Sequence, residues 1–245
     1  MAPIEIRDLH KSVGAQQVLK GINLRVARGE TVAVLGRSGT GKSVLLKMMI
    51  GLQTPDSGSI SIAGQEITTL DVKQLNEIRK KVGFLFQQAA LYDSLTVEQN
   101  VAFPLRRHAN LSESEQQQRV QELLGSVAMS EDRQKMPSEI SGGMQKRIGL
   151  ARALVLDPEI LLFDEPTAGL DPITASDIGK LVVDLKKKRK ITVVVVTHDV
   201  RGAKQISDRF ALIKDGSIVA EGTFADLEKS RDPFVAQFIR NNSEA

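Results

Sequence analysis

The chain has 245 residues, with 41% apolar and 26% charged side chains, which suits one large α/β domain or two small lobes around a packed core. It contains no cysteine, which excludes disulfides, cysteine-ligated zinc and iron–sulfur clusters held by this chain, and a formal charge of +3 is a weak footprint for nucleic acid. No apolar stretch approaches the roughly 20 residues that span a bilayer, and Met1 to Asp8 lacks the basic and apolar regions of a secretory signal, so any membrane role is expected to come through a partner.

Three short strand-like runs open the chain: Pro3–Asp8, Val18–Val26 and, later, Ser59–Ala63. Gly14, Gly21, Gly29, Gly58 and Gly64 punctuate them, and the close spacing predicts an antiparallel layer. Five further runs, Val32–Leu35, Val82–Phe86, Ile160–Phe163, Ile191–Thr197 and Arg209–Ile213, include several that are apolar almost throughout. Strands of that kind are buried on both faces, which predicts an α/β fold with a mostly parallel sheet and helices on either side.

Between Gln88 and Gly149 the pattern becomes helical. Val120, Leu123, Leu124 and Val127 recur along Leu111–Val127, and Ser112 with Glu115 fits a capping box. Residues 88–152 therefore read as a helical lobe inserted into a core of residues 1–87 and 153–222, with a C-terminal helix near Phe234–Arg240 and a tail in residues 223–245. The basic run Lys186 to Lys190 ends a helical pattern of Ile178, Leu181, Val182 and Leu185, where cations complement the helix dipole and a solvated turn follows.

The chemistry begins after Thr31–Leu35, at Gly36-Arg37-Ser38-Gly39-Thr40-Gly41-Lys42-Ser43, followed by a helical run from Val44. This fits the phosphate-binding pattern G-x-x-x-x-G-K-[ST] in its strand–loop–helix context. Glycines let several backbone N–H groups converge on one anion, and the helix adds its positive dipole end. Lys42 can reach β- and γ-phosphates and Ser43 can hold Mg²⁺, so a nucleoside triphosphate is the expected ligand.

Ile160 to Phe163 is an apolar strand ending in Asp164 and Glu165, which delivers two carboxylates to the ligand edge of a parallel sheet. Asp164 is expected to hold Mg²⁺ and Glu165 to polarise an attacking water. His198 ends the strand of Val193–Thr197 at the same edge and suits a γ-phosphate sensor, and Gln87 ends Val82–Phe86 with a neutral amide that can touch the metal or the water. Ser141-Gly142-Gly143 opens another helical pattern (Ile148, Leu150, Ala151, Leu154), a second anion site that one nucleotide does not need and that suggests service to another subunit's nucleotide.

With these residues in hand, the chain resembles the ATP-binding cassette (ABC) ATPases over nearly its full length. Gly36 to Ser43, with Val44 beginning the helix, match the P-loop; Gln87 matches the Q-loop glutamine; and Ser141-Gly142-Gly143-Met144-Gln145 matches the signature loop. Asp164 and Glu165 match the Walker B aspartate and catalytic glutamate, Ala168-Gly169-Leu170-Asp171 the D-loop, and His198 the switch histidine. The resemblance implies a second copy of the chain, with two ATP molecules sandwiched head to tail and Ser141 and Gly143 of one copy facing the γ-phosphate held by Lys42 of the other. Two positions depart from the family pattern. Met144 replaces the usual signature glutamine, and Val13 stands roughly where an aromatic ring stacks on adenine, which loosens the case for adenine over guanine.

A finer resemblance joins Leu85 to Val97, Asn100 to His108, Met136 to Met144, Asp171 to Thr174 and Asp232 to Phe238 to the ATPases of MCE-type phospholipid transporters, including the Mla systems. It implies an integral permease, an MCE-domain lipid-binding protein, and a place at the cytoplasmic face of the inner (plasma) membrane. The competing expectations are an importer ATPase for another solute such as amino acids, and a soluble ABC ATPase with no permease.

Overall fold

A computed structural model describes residues 2–243. In chain order, β1 (Ile4–Val13), β2 (Gln16–Val26) and β3 (Thr31–Leu35) lead to helix α1 (Lys42–Met49), then β4 (Ser57–Ile62) and β5 (Gln65–Glu66). Helix α2 (Val72–Lys80) and β6 (Val82–Leu85) precede three helices, α3 (Val97–His108), α4 (Glu113–Ser126) and α5 (Gly142–Leu154). Then β7 (Ile160–Asp164), α6 (Pro172–Arg189), β8 (Thr192–Thr197), α7 (Val200–Ile206), β9 (Arg209–Lys214) and β10 (Ser217–Gly222) follow, and α8 (Phe224–Glu228) and α9 (Pro233–Ser243) close the chain.

Two sheets result. One is antiparallel, in the order β2-β1-β4-β5; the other has six strands in the order β10-β9-β3-β8-β7-β6. Five strands of the larger sheet run parallel, and only β10 pairs antiparallel, with β9.

The apolar runs of the central strands divide with a period of two, as the pleat requires. Val32 and Val34 of β3, Ile160 and Leu162 of β7, and Val194 and Val196 of β8 face one core, shared with α1 and the antiparallel sheet. Their neighbours Ala33, Leu35, Leu161, Phe163, Val193 and Val195 face a second core built with α3 to α9. Helices thus lie on both faces as expected, α3 to α9 on one and α1 on the other, where the antiparallel sheet shares the covering.

Several elements are longer than the sequence suggested, or were missed. Strand β1 continues past Asp8, which sits at φ 45°, to Val13, with register shifts along its pairing to β2. Ala63, expected in a strand, lies outside β4 at φ 51°. The unforeseen helix α2 and helix α3, which falls in the expected helical lobe without having been placed, both open on capping boxes, Asp71 with Gln74 and Thr96 with Gln99; Ser112 and Glu115 form the predicted one at α4. The basic run ends α6 as expected, and Lys190 adopts φ 52°. Part of it is engaged: Lys186 pairs with Asp208, and Arg189 donates to Asp157 at 2.7 Å. The final helix runs through Ser243, beyond the predicted Arg240; Glu244 and Ala245 of the expected tail lie outside the described residues.

Candidate active site

The β3–α1 loop curls back on itself. Gly41 takes φ 91°, and a Cβ there would lie 2.8 Å from Leu19 Cδ2 and 3.0 Å from the Val18 carbonyl, so neither the conformation nor the space admits a side chain. A Cβ at Gly36 would meet Thr40 Oγ1 at 2.8 Å and the Ile213 carbonyl at 2.9 Å. The loop is therefore squeezed between β2 and β9. Thr40 Oγ1 donates to the Arg37 carbonyl at 2.9 Å, while Arg37, Ser38 and Gly39 are exposed. The Arg37 guanidinium lies 5.7 Å from the Phe234 ring of α9. Val44, half-buried, packs on the core beneath α1.

Lys42 is buried, and its Nζ donates to the carbonyls of Gly36 at 2.9 Å and Arg37 at 3.1 Å, with Glu165 Oε1 at 3.7 Å. Burial pulls its pKa down, opposed by the charges of Glu165 and Asp164. Ser43 Oγ donates to Asp164 Oδ1 at 2.8 Å. Burial pushes the Asp164 carboxyl above the usual range, the Ser43 hydrogen bond opposes it, and the neighbouring Glu165 charge adds to the rise.

Glu165 sits just past β7 at φ 48°, a left-handed conformation that costs a residue with a side chain about 1–2 kcal/mol. Hydrogen bonds hold it there. Its N–H donates to the Val196 carbonyl at 2.9 Å, and its Oε2 accepts from Thr197 Oγ1 at 2.8 Å and from the His198 N–H at 3.3 Å. His198 Nδ1 lies 3.1 Å from Oε1 and 3.0 Å from Oε2, so the exposed imidazole spans the carboxylate. Three of the segments predicted to form a ligand edge thus meet in one contiguous cluster of Lys42, Ser43, Asp164, Glu165 and His198.

The remaining predicted residues lie around this cluster. The Gln87 side chain is exposed, and its main-chain carbonyl is held from α5. Asp171 caps α6, accepting from the N–H groups of Ile173 at 3.1 Å and Thr174 at 3.0 Å and from Thr174 Oγ1 at 2.6 Å; that hydroxyl keeps its carboxyl below the usual range. Ser141 caps α5 by accepting from the Met144 N–H at 3.3 Å. Gly142 and Gly143 face α6 and the turn before it: a Cβ at Gly143 would stand 2.4 Å from Thr174 Cγ2, and one at Gly142 would be 3.9 Å from Leu170. Among the described residues, no hydrogen bond joins Ser141, Gly142 or Gly143 to Lys42 or Ser43. Val13 ends β1 opposite Gln16, and its side chain is exposed.

Sequence reasoning missed Lys146. It is buried, and its Nζ donates to the Gln87 carbonyl and, at 3.3 Å, to the Glu165 carbonyl. The available signal was a lysine three residues before Gly149 and six before Arg152, in a helix whose other buried residues are glycine or apolar.

Mg²⁺ needs no cluster of carboxylates, since it is held by one or two protein oxygens with substrate phosphates and water. Ser43 Oγ and Asp164, hard oxygen donors in direct contact, fit it. No group of three or more His, Cys, Asp and Glu suited to a metal occurs among the described residues.

Known proteins resemble the chain in sequence and in fold. The family model described as "ABC transporter" matches residues 19–168, more than half of the chain. The chain is 44% identical, over 96% of its length and 68% of the relative's, to a protein of Mycobacterium leprae named probable ribonucleotide transport ATP-binding protein mkl. It is 40% identical to the intermembrane phospholipid transport system ATP-binding protein MlaF of Haemophilus influenzae, covering 98% of this chain and 91% of that one. Among solved structures, the ATP-binding cassette MJ0796, a dimer in a post-hydrolysis state bound to ADP and Pi, superposes with a TM-score of 0.83 at 35% identity, over 90% of this chain and 98% of that one. By its motifs, its fold and these relatives, the chain belongs to the ABC transporter family, as an ATP-binding-cassette ATPase.

Proposed function

We propose that this ATPase is the motor subunit of a membrane transporter whose cargo is phospholipid or a related lipid, and that it works as a pair of copies. The observation that carries the motor reading is the division of anion-binding parts within one chain. Lys42, Ser43, Asp164, Glu165 and His198 form one cluster, while Ser141 to Gly143 stand apart at the start of α5. A second copy turned head to tail would bring its Ser141 and Gly143 to the phosphates held by Lys42. Residues 88–152 would then be the lobe that carries this loop, and residues 1–87 and 153–222 the nucleotide-binding core.

In hydrolysis the Glu165 carboxylate takes a proton from water as the water oxygen bonds to the γ-phosphorus and the bond to ADP breaks. His198, spanning that carboxylate, senses the γ-phosphate, and Gln87 touches the water or the metal. Lys42 leaves the carbonyls of its own loop for the β- and γ-oxygens. Ser43 and Asp164 are the residues that would hold Mg²⁺, which would supply positive charge against the phosphate oxygens. Phosphate joins the two copies and its loss releases them, which is a hinge-type change.

No helix among the described residues is long and apolar enough to cross a membrane; in this reading force passes to a separate permease. A groove lined by Phe84, Phe86, Leu91, Tyr92, Phe103 and Arg152 lies beside Gln87 and suits an inserted permease helix. The lipid reading is supported by likeness to the phospholipid transport ATPase over 98% of the chain and by the run from Leu85 to His108. A relative named for ribonucleotide transport keeps cargo a separate question from the motor.

The deciding experiment is native purification from detergent-solubilised membranes, followed by mass spectrometry of proteins and lipids. A permease with an MCE-domain protein carrying phospholipid is expected. A permease for another solute would keep the motor and discard the lipid, and a soluble protein with no membrane partner would discard both.

A further inference from the structure

We propose that Lys146 is a positioning residue that aims the Glu165 carboxylate by holding the main chain at Glu165 and Gln87 together; this rests on reading Glu165 as the group that takes the proton from water. Lys146, Gly149 and Arg152 lie at i, i+3 and i+6 of α5, on one face. That face grips the segment after β6. Arg152 donates to the Ala90 carbonyl at 2.7 Å and the Ala89 carbonyl at 2.5 Å, and Gly149 leaves room for Leu85 and Ala89, whose side chains a Cβ would meet at 2.7 and 3.2 Å. Ala89 and Ala90 both adopt left-handed backbone, at φ 57° and 48°. This loop is therefore held by α5 rather than by its own preference.

Lys146 extends the grip to a second strand. Its ammonium reaches from α5 to the carbonyl of Gln87, just after β6, and to that of Glu165, just after β7. The acceptors are main-chain oxygens, although the charges of Asp164 and Glu165 are near enough to oppose the downward pull of burial on its pKa. A buried ammonium spent on two carbonyls from different strands fixes backbone geometry. The carbonyl it holds belongs to a residue at φ 48°, where the N–H is already tied to Val196 and the same oxygen also accepts from the Ala168 N–H at 3.2 Å. Rotation about that backbone would swing the carboxylate off Thr197 and His198. Lys146 opposes the rotation without touching nucleotide, so its loss should slow the chemical step and spare ATP binding.

The test compares the parent and Lys146→Met in the native membrane complex, measuring ATP turnover across ATP concentrations and equilibrium ATP binding. The expected result is a kcat at least about 10-fold lower, with KM and binding within about 3-fold of the parent. A smaller fall in kcat, or a rise in KM that accounts for the loss, overturns the proposal. Should Lys146→Met fail to fold, Lys146→Gln takes its place under the same criteria; a chain that folds with neither gives Lys146 a purely structural role and also overturns it. The two readings fail differently. Parity of the variant with an active parent removes the positioning role alone, whereas a parent with normal ATP turnover after Glu165→Gln removes the role of Glu165 and the proposal with it.

Discussion

Two helices of this chain begin at glycine-rich anion motifs, and their N-termini are built differently. Helix α1 starts after Gly41, held at φ 91° in a buried loop, with no side-chain cap, and its first residue is Lys42. Helix α5 starts after Ser141, whose hydroxyl caps it by accepting from Met144, and it leans on α6 through Gly143. Around α1 the chain gathers a lysine, a hydroxyl, two carboxylates and an imidazole; at the first residues of α5 it gathers the Ser141 cap and the packing of Gly143 on Thr174. One N-terminus opens into a cluster of its own chain's charged groups; the other lies apart from that cluster and, in the pairing proposed above, meets a second copy's phosphate.

Substitutions can break that contrast, and the largest effect should fall at α1. Lys42→Ala should cut turnover by about 1,000-fold or more and weaken ATP binding, because the buried cation is the charge aimed at phosphate. Undiminished ATP affinity in calorimetry would show that α1 is not the cradle. Next comes Glu165→Gln, expected to lower turnover by about 1,000-fold while ATP still binds and the two-copy form accumulates on gel filtration.

The contrast sharpens at α5. Gly143→Val would place methyl groups against Thr174, where even a Cβ stands 2.4 Å from Cγ2, and tilt the start of the helix. Turnover should drop by about 100-fold while ATP affinity of the single copy stays within about 3-fold. Equal losses in both would mean that α5 serves its own chain's nucleotide.

The smallest effect concerns stability. The Asp164 carboxyl is raised in the folded chain, chiefly by burial, so folding favours its protonated form. The stabilisation is present below the unfolded carboxyl pKa and is lost as pH rises through the folded one. Asp164→Asn should therefore raise the melting temperature by about 1–3 °C near neutral pH and leave it little changed at low pH. A melting temperature unchanged at both would refute the burial cost.

Much of this was legible from residue order because the central strands are apolar on both faces and their last residues carry charge. Nothing but a buried strand explains Val193 to Val196, and a carboxylate pair directly after Ile160 to Phe163 can only emerge at the strand's end. Strand β1 hid its second half because Leu9-His10-Lys11-Ser12 alternates irregularly, and the structure resolves this with register shifts against β2. Helices α2 and α3 carried their start signals in Asp71-to-Gln74 and Thr96-to-Gln99, yet α2 is only nine residues long, and Pro104 inside α3 argues against a helix there. Lys146 was illegible for another reason. Its partners lie 59 positions before and 19 after it, and main-chain oxygens leave no mark in a sequence.

The period-two division of the central strands has a consequence for how such a chain can change. Val32 and Val34 answer to α1 and the antiparallel sheet, while Ala33 and Leu35 answer to the helical face. Substitutions in the helices that pack on the Ala33 face therefore meet one set of strand side chains and leave the Val32 set beneath α1 untouched. The Lys146 bridge to the Glu165 carbonyl is the kind of link that such refitting would have to keep, so the two faces can drift apart in sequence while a few main-chain grips hold them in step.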